Sequence, residues 1–414
     1  MAKELLTFRP GAGQAPPPSS RHGGSYRESF LPHPGKCMLL RSMSAENYRS
    51  LRSIRMDLGR VNLFVGENGA GKSNLYRSLQ LVQAAVRGTF ANEIAAEGGM
   101  ASALWTGRRR ANEPVRIRLE TELLDEDRAI TFRYRVEAGL RPPKASAGFA
   151  FEPQVKAEEL SIETGRRPVT VMKRAGPGIM VRDETGRMVE HPEQALTSET
   201  ATALLGDAGH YPEIGTFRRA VSQWRFFHGF RSDRGSALRQ PCLAVTAPLL
   251  DEDGANMAAV FATLVWTRED TVDLDRAVAD AFGGAKLSVP EPEEFASFGL
   301  VFPQFPQRVF QPRELSDGQI RFLSLAAALL SYRTPPLIAL NEPEASLHPD
   351  MLPPLAGMIA RAAETSQIWI VTHSERLAQE VESRCGVRAK RVVRNDGATW
   401  IDGMRLTGEM DEDE

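Results

Sequence analysis

A glycine-rich segment near residue 70 combines the residue types that bind phosphate groups. Residues 66–73 read Gly-Glu-Asn-Gly-Ala-Gly-Lys-Ser, between an apolar run at 61–65 and a segment of helical periodicity at 72–88. Glycines let backbone N–H groups turn onto phosphate oxygens, while the lysine adds positive charge and the serine hydroxyl can join Mg²⁺. We therefore predict that ATP contacts the residues of this loop and the residue that follows it. These are Gly66, Glu67, Asn68, Gly69, Ala70, Gly71, Lys72, Ser73 and Asn74.

A second group of polar residues follows the apolar run 337–340, where the chain continues Asn341, Glu342, Pro343, Glu344. Acidic groups at the end of a buried strand beside a phosphate loop hold Mg²⁺ through water or polarise the attacking water. We predict Glu342 as the general base and place Mg²⁺ near Ser73, Asn341 and Glu344. Because Asn341 brings no negative charge, the motif leaves the rate of ATP cleavage open. Taken alone, the segment is also compatible with an ordinary acidic turn.

Two further segments carry polar residues where a helix begins or a strand ends. Residues 315–319, Leu-Ser-Asp-Gly-Gln, precede a predicted helix at 320–330. Free N–H groups there favour an anion, although a plain helix cap explains the same residues. His373 follows the apolar run 368–371, and that end of a parallel strand faces the crevice of an open α/β sheet. His373 is thus a candidate γ-phosphate contact or a structural histidine.

The predicted elements divide the chain into segments of different character. Strands alternate with helices near both ends of the sequence, which predicts an α/β fold with one parallel sheet built from distant halves. We expect a disordered tail at 1–35, an N-terminal lobe with the phosphate loop at 36–112, and an antiparallel β subregion at 113–190. A helical insertion at 191–300, a C-terminal lobe at 301–405 and an acidic tail at 406–414 complete this prediction.

Composition excludes several classes of protein. The chain has 414 residues and a formal net charge of −2, so no global basic field points to nucleic acid. The three cysteines are far apart, which argues against a disulfide framework and a zinc ribbon. No apolar run reaches the roughly 18 residues of a membrane span, and the first residues lack a signal core. We therefore expect a cytoplasmic protein without a membrane partner.

The order and spacing of these motifs resemble the ABC-type ATPase superfamily, in the branch that includes RecF, SMC and OLD proteins. Within that branch the chain is similar to the AAA_21-type predicted ATPases. The likeness rests on the four motifs, on Leu-Leu-Arg at 39–41, on Asn-Tyr-Arg-Ser at 47–50 and on Asn-Glu-Pro-Glu-Ala-Ser-Leu-His-Pro at 341–349. No acidic TOPRIM nuclease pattern follows residue 375. The resemblance implies a P-loop NTPase head of the ABC type.

The resemblance also implies a mechanism. ATP and Mg²⁺ bound at Lys72 of one head would be closed over by a second copy, so that a homodimer forms on ATP binding. Glu342 would act in hydrolysis, with His373 steadying the γ-phosphate. The signature residues that act on the partner's ATP would be Ser316, Asp317, Gly318 and Gln319. Spacing does not identify the family's Q-loop glutamine, and Gln154 is our candidate for it.

Three functions remain open at this point. The resemblance favours an ATPase that acts on DNA, in repair, recombination or anti-phage defence. Asn341 favours a slow or non-hydrolysing ATP-dependent module that regulates a protein partner. A transporter subunit is disfavoured by the start of the chain and by the large middle region.

Two local runs have both a functional and a structural interpretation. The arginines at 108–110 are a DNA-backbone contact or a solvated loop. The aromatic and basic residues at 224–231 stack on bases or pack into the core.

Overall fold

Two large sheets and a layer of helices form the molecule in the computed structural model, which describes residues 38–108, 115–140, 149, 152–165, 167–206, 209–268, 270–404 and 408. The predicted tail at 1–35, most of the tail at 406–414 and two of the arginines at 108–110 lie outside these residues. The strands are β1 (Leu39–Tyr48), β2 (Leu51–Asp57), β3 (Val61–Val65), β4 (Arg116–Asp125), β5 (Ile130–Gly139), β6 (Gln154–Glu163), β7 (Val169–Ala175), β8 (Gly178–Arg182), β9 (Met188–Glu190), β10 (Arg225–His228), β11 (Cys242–Leu243), β12 (Lys286–Ser288), β13 (Phe295–Ala296), β14 (Gly299–Val301), β15 (Leu337–Asn341), β16 (Gln367–Thr372), β17 (Lys390–Asn395) and β18 (Ala398–Ile401).

The helices lie mostly in the second half of the chain. The α-helices are α1 (Lys72–Arg87), α2 (Phe90–Ala96), α3 (Met100–Ala103), α4 (Ala201–Leu204), α5 (Pro212–Ser222), α6 (Met257–Thr263), α7 (Val272–Ala281), α8 (Asp317–Leu329), α9 (Leu352–Ala363) and α10 (Glu375–Cys385). A π-helical turn, Leu264–Arg268, continues α6, and short 3-10 helices occur at Ala237–Arg239, Pro312–Glu314 and Pro349–Met351. None of the helices in the described ranges is long and apolar enough to cross a bilayer.

The first sheet is antiparallel and has the strand order β2-β1-β4-β5-β6-β7-β8-β9. Its residues alternate between a buried and a charged face, as in β4, where Ile117 and Leu119 are buried while Arg116 is exposed. This sheet contains the antiparallel β subregion predicted at 113–190. It also includes β1 and β2, which the sequence pattern had not assigned to this layer.

The second sheet carries the phosphate loop and has the order β10-β15-β16-β3-β17-β18. Only β18 runs antiparallel to its neighbour. All residues of β3, β15 and β16 are buried, as expected for central parallel strands covered on both faces. The predicted sheet from distant halves of the chain is therefore confirmed. One edge strand, β10, comes from the region predicted as a helical insertion.

Two apolar cores lie on opposite faces of this second sheet. Alternate residues of β16 divide between them: Trp369 packs with α1 and the antiparallel sheet, whereas Ile368 and Ile370 pack with α6 to α10. The molecule is thus layered as antiparallel sheet with α1, then parallel sheet, then helices. Since both faces of the parallel sheet are covered, polar chemistry is confined to the ends of its strands.

Candidate functional site

The segment after β3 forms a loop that ends in the first turn of α1. The Lys72 ammonium is buried and donates hydrogen bonds to the carbonyls of Gly66, at 2.6 Å, and Glu67, at 2.8 Å. Burial lowers the pKa of Lys72, and the charges of Glu342 and Glu344 oppose that change. The loop residues 67–69 and Ser73 are exposed. The loop therefore presents backbone and hydroxyl groups to solvent around a charged lysine.

Two glycines of this loop are required by its close packing. A Cβ at Gly66 would lie 2.2 Å from the carbonyl oxygen of Val392, and one at Gly71 would lie 1.8 Å from Thr399 Oγ1. Gly71 also has φ of +102°, a conformation that favours glycine. Thr399 donates to the carbonyl of Ala70 at 3.1 Å. The hairpin β17–β18 thus packs directly against the phosphate loop.

Glu342 and His373 end neighbouring parallel strands at the edge where the loop lies. Glu342 has φ of +48°, and its N–H donates to the carbonyl of Val371 at 2.7 Å. His373 Nδ1 lies 3.7 Å from Glu342 Oε1 and 3.2 Å from Glu344 Oε1. The side chain of Glu342 is partly exposed, whereas that of Glu344 is buried. Glu342 is therefore the carboxylate that solvent reaches.

Glu344 fastens the ends of β15 and β16 together. Its Oε1 accepts hydrogen bonds from Thr372 Oγ1 at 2.5 Å, from the His373 N–H at 3.0 Å and from the Ser374 N–H at 3.2 Å. Its Oε2 is buried and has no hydrogen-bond partner among the described residues. One oxygen is consequently structural, and the other is available to a ligand.

In Asn341, as in Glu344, one polar side-chain atom has a described hydrogen-bond partner and the other has none. Its Nδ2 lies 2.7 Å from His228 Nδ1, and its Oδ1 is buried without a partner in the described part of the chain. Burial, followed by the positive charge of Arg77, lowers the pKa of His228, while the charge of Glu342 acts in the opposite direction. The last residue of β10 thus contacts the last residue of β15.

The oxygens near the strand ends match the ligand preference of Mg²⁺. Within the described ranges, no group of three or more His, Cys, Asp or Glu residues is arranged to hold a metal. The buried oxygens without described partners, Asn341 Oδ1 and Glu344 Oε2, are nevertheless the hard donors that Mg²⁺ prefers. Ser73, in the first turn of α1, is exposed and offers a hydroxyl oxygen as well. Mg²⁺ commonly completes its coordination with water and substrate phosphates. The residues present fit that use.

Ser316 begins α8 and caps it. Its hydroxyl accepts from the Gln319 N–H at 3.3 Å, while Gln319 Oε1 accepts from the Ser316 N–H at 2.8 Å. This reciprocal pair is a capping box, so the plain helix cap considered above is present. Ser316 and Asp317 are exposed, and no described hydrogen bond or ion pair joins residues 316–319 to Lys72. The signature segment is therefore accessible from outside the head.

Arg239 holds this segment from within. The buried guanidinium donates to the carbonyls of Pro312 at 2.6 Å, Leu315 at 2.7 Å and Ser232 at 2.8 Å. It also pairs with Asp317 Oδ1 at 2.6 Å. All these partners are protein groups. Its role in this structure is to shape the start of α8.

A cavity of about 590 Å³ opens beside the phosphate loop. It is lined by Gly69, Arg49 and Trp105, among others, and by Glu97, to which Arg49 Nε donates at 3.0 Å. Tyr48 also donates to this carboxylate, at 2.7 Å. Aromatic, cationic and hydrogen-bonding groups therefore surround a space next to the loop that carries Lys72.

Comparisons with known proteins agree with this geometry. The family model described as "AAA domain, putative AbiEii toxin, Type IV TA system" matches residues 199–378, and the "AAA ATPase domain" model matches residues 38–137. The chromosome partition protein Smc of Mycobacterium tuberculosis is 25% identical over 228 residues, which is 52% of this chain and 18% of that protein. The chain thus spans about a fifth of the length of this curated relative.

Solved structures extend the likeness to most of the fold. The SmcHead bound to the C-winged helix domain of ScpA has a TM-score of 0.50 at 14% identity, covering 89% of this chain and 98% of that one. The SMC head domain from Thermotoga maritima has a TM-score of 0.45 at 12% identity, with 89% and 99% covered. The chain is thus similar in sequence to AAA-type ATPase models and to part of Smc, and similar in fold to an SMC head. The fold predicted from its motifs is confirmed.

The structure brings some of the predicted residues together and separates others. Lys72, Asn341, Glu342, Glu344 and His373 lie along one edge of the parallel sheet. No described hydrogen bond or ion pair joins residues 316–319 to them. Their catalytic and binding roles stay predictions.

One prediction needs correction, one of two open interpretations is decided, and one residue was missed. Gln154 begins β6 in the antiparallel sheet, so it does not lie at a strand end of the sheet that carries the phosphate loop. The run at 224–231 is not a base-stacking surface, because Trp224, Phe226 and Phe227 are buried. The residue that the sequence did not single out is His228, which lies next to Asn341. Its only signal in the sequence is a polar residue that follows three aromatic ones.

Proposed function

We propose that the protein binds ATP with Mg²⁺ and hydrolyses it. The observation that carries this proposal is the convergence of Lys72, Glu342 and His373 at one edge of a parallel sheet, next to a loop in which two glycines are closely packed. Lys72 would exchange its two carbonyl partners for phosphate oxygens. Ser73, Asn341 and Glu344 would hold Mg²⁺, which offsets phosphate charge when bound.

Glu342 is suited to accept a proton from the attacking water. Its backbone conformation turns it out of the strand, and its carboxylate is partly exposed while Glu344 beneath it is buried. His373 Nδ1 lies 3.7 Å from Glu342 and 3.2 Å from Glu344, so both carboxylates lie near the same ring nitrogen. His373 can thus orient the Glu342 carboxylate and contact a terminal phosphate.

A second copy of the chain is the proposed partner for the exposed signature segment. The start of α8 has the positive end of the helix dipole, and the N–H groups of Asp317 and Gly318 lie outside the capping box; both features favour a phosphate. Because no described bond joins this segment to the chain's own Lys72, we propose that it acts on ATP bound to another head. The cavity lined by Arg49 and Trp105 is the proposed place for the nucleoside.

ATP binding is tested by comparing wild type with Lys72→Ala in equilibrium titrations with Mg²⁺. The loss of charge-assisted hydrogen bonds to phosphate should weaken binding by about 10- to 100-fold. Ser331→Ala, far from the site at the end of α8, serves as the control. Equal affinity of Lys72→Ala and wild type would contradict binding at this loop.

Dimerisation is tested by light scattering of the Glu342→Gln protein with ATP and Mg²⁺. This variant should keep ATP bound, so we expect a dimer with ATP and a monomer with ADP. Adding Ser316→Arg, which places a bulky side chain at the start of α8, should abolish the dimer. A dimer that is insensitive to both nucleotide and Ser316→Arg would refute the composite site.

Action on DNA is proposed from the relation to a chromosome partition protein. The charged face of the antiparallel sheet does not favour DNA binding. Each of three arginines on this face lies between two glutamates, so negative side chains outnumber positive ones in these rows. These rows are Glu46–Arg118–Glu137, Glu120–Arg135–Glu159 and Glu122–Arg133–Glu163. DNA would therefore use another surface. If duplex DNA at low salt changes neither ATP turnover nor dimer formation, the DNA part of the proposal fails.

The alternative function is an ATP-dependent regulatory module for a protein partner. Asn341 favours it, because an amide offers no charge to Mg²⁺ and slow turnover would result. Robust multiple-turnover hydrolysis that Lys72→Ala abolishes would exclude this alternative.

A further inference from the structure

Asn341 and His228 lie side by side at the carboxyl ends of two parallel strands. β10 and β15 pair in a register that sets His228 opposite Asn341. Asn341 Nδ2 and His228 Nδ1 are 2.7 Å apart. An amide nitrogen can only donate, so the imidazole Nδ1 must accept. The contact therefore specifies a neutral His228 that carries its proton on Nε2.

The same contact determines which way the Asn341 amide faces. Asn341 is 6% exposed, so its side chain has little freedom to turn. With Nδ2 committed to His228, Oδ1 points to the other side, where it has no partner among the described residues. Buried polar atoms are nearly always paired, so one without a partner calls for an explanation such as an absent ligand. Glu344 Oε2 is a second buried oxygen in the same state.

The imidazole is itself held in place by the helix that follows the phosphate loop. The Tyr76 ring packs against His228 with centroids 5.9 Å apart and an interplanar angle of 38°. Tyr76 lies on α1, one turn after Lys72. Thus α1, His228 and Asn341 form a continuous set of contacts from the phosphate loop to the strand end.

We propose that His228 is a positioning residue, which turns the Asn341 oxygen toward Mg²⁺ or its water by accepting a hydrogen bond from Asn341 Nδ2. This inference rests on the proposed function. An amide has one donor end and one acceptor end, so only one orientation suits a cation. A carboxylate at residue 341 would need no such partner, because both its atoms are acceptors. The pair thus explains how an uncharged residue can serve at this strand end.

The test measures Mn²⁺ binding by electron paramagnetic resonance in the presence of a non-hydrolysable ATP analogue. His228→Ala removes the acceptor and should weaken Mn²⁺ binding by about 10- to 100-fold, the usual cost of losing a partner behind a metal ligand. His228→Asn keeps an acceptor oxygen close to the position of Nδ1 and should bind Mn²⁺ within about threefold of wild type, a change smaller than that range. Analogue binding without metal should change little in either variant. Wild-type Mn²⁺ affinity in His228→Ala would overturn the inference.

A double-mutant comparison separates positioning from a general structural role. In an Asn341→Asp background, orientation no longer matters, so adding His228→Ala should not weaken Mn²⁺ binding further. The same loss in both backgrounds would overturn the inference. The side-chain ¹⁵N shifts of His228 in wild type give a test that needs no variant: protonation of Nε2 supports the inference, and protonation of Nδ1 overturns it.

Failure of this inference can be distinguished from failure of the proposed function. If Lys72→Ala abolishes analogue binding while His228→Ala binds Mn²⁺ like wild type, only the role of His228 is wrong. If Lys72→Ala leaves analogue binding unchanged, the proposed function fails and this inference with it.

Discussion

Replacing the buried Arg239 with alanine should destabilise the protein and disorder the start of α8. The guanidinium donates to the carbonyls of two buried residues, Pro312 and Leu315, and the Pro312 carbonyl also accepts from the Leu315 N–H at 3.3 Å, so Arg239→Ala removes the described donor of the Leu315 carbonyl. Leaving a buried acceptor unpaired costs about 1–3 kcal/mol. The Asp317 carboxylate is 64% exposed, so its ion pair with Arg239 adds little. We therefore expect about 2 kcal/mol, the cost of one unpaired buried acceptor.

The assay is urea unfolding followed by intrinsic tryptophan fluorescence. Arg231→Ala is the matched control, because that arginine is 79% exposed and pairs only with the nearby Asp233. The control should stay within about 0.5 kcal/mol of wild type, as surface substitutions usually do. Arg239→Ala should also lose ATP-dependent dimer formation, because the signature segment loses its support. Equal urea midpoints for the two variants would refute the assignment of Arg239 as a structural residue.

Two further predictions concern the phosphate loop and the acid stability of the antiparallel sheet. Gly71→Ala should lower stability by roughly 2 kcal/mol and weaken ATP binding, because the residue has a positive φ and its new methyl group would collide with Thr399. Burial raises the pKa of Glu137, but a hydrogen bond from Arg116 and the charge of Arg118 outweigh it and hold this pKa below its usual value. The resulting stabilisation should be complete at neutral pH and be lost as the pH falls below about 4, and Glu137→Gln should flatten that acid-side slope.

Each of these two predictions has a control in the chain. Gly59→Ala has open space around the new methyl group and no positive φ, so thermal unfolding and ATP titration should match wild type. Glu190 is exposed, so Glu190→Gln should keep the wild-type dependence of unfolding on pH. Equal effects of Gly71→Ala and Gly59→Ala, or of Glu137→Gln and Glu190→Gln, would contradict the explanations above.

The parts of the fold that sequence predicts well are those set by local pattern. The phosphate loop was recognisable because the apolar strand, the glycines and the helix are contiguous in the chain. The strands β15 and β16 were recognisable as continuous apolar runs, which are typical of central parallel strands. Glu342 and His373 could be placed at one edge because the carboxyl ends of neighbouring parallel strands meet there.

The parts that sequence missed depend on contacts between distant segments. The strand β10 has four residues and no alternation, so its aromatic run was assigned to a helical region. Its pairing with β15 spans more than a hundred residues, and it is this pairing that makes His228 a neighbour of Asn341. Arg239 was equally hidden, because its partners are mostly backbone carbonyls, which carry no signal in the sequence of side chains.

The central claim is that Glu342 promotes cleavage of ATP that Lys72 binds. Its most direct test is the single-turnover rate of ATP hydrolysis at saturating protein, compared between wild type and Glu342→Gln. We predict the same ATP affinity for both proteins and a rate about 10²- to 10⁴-fold lower in the variant, the usual contribution of a general base. Equal single-turnover rates at equal occupancy would contradict the account.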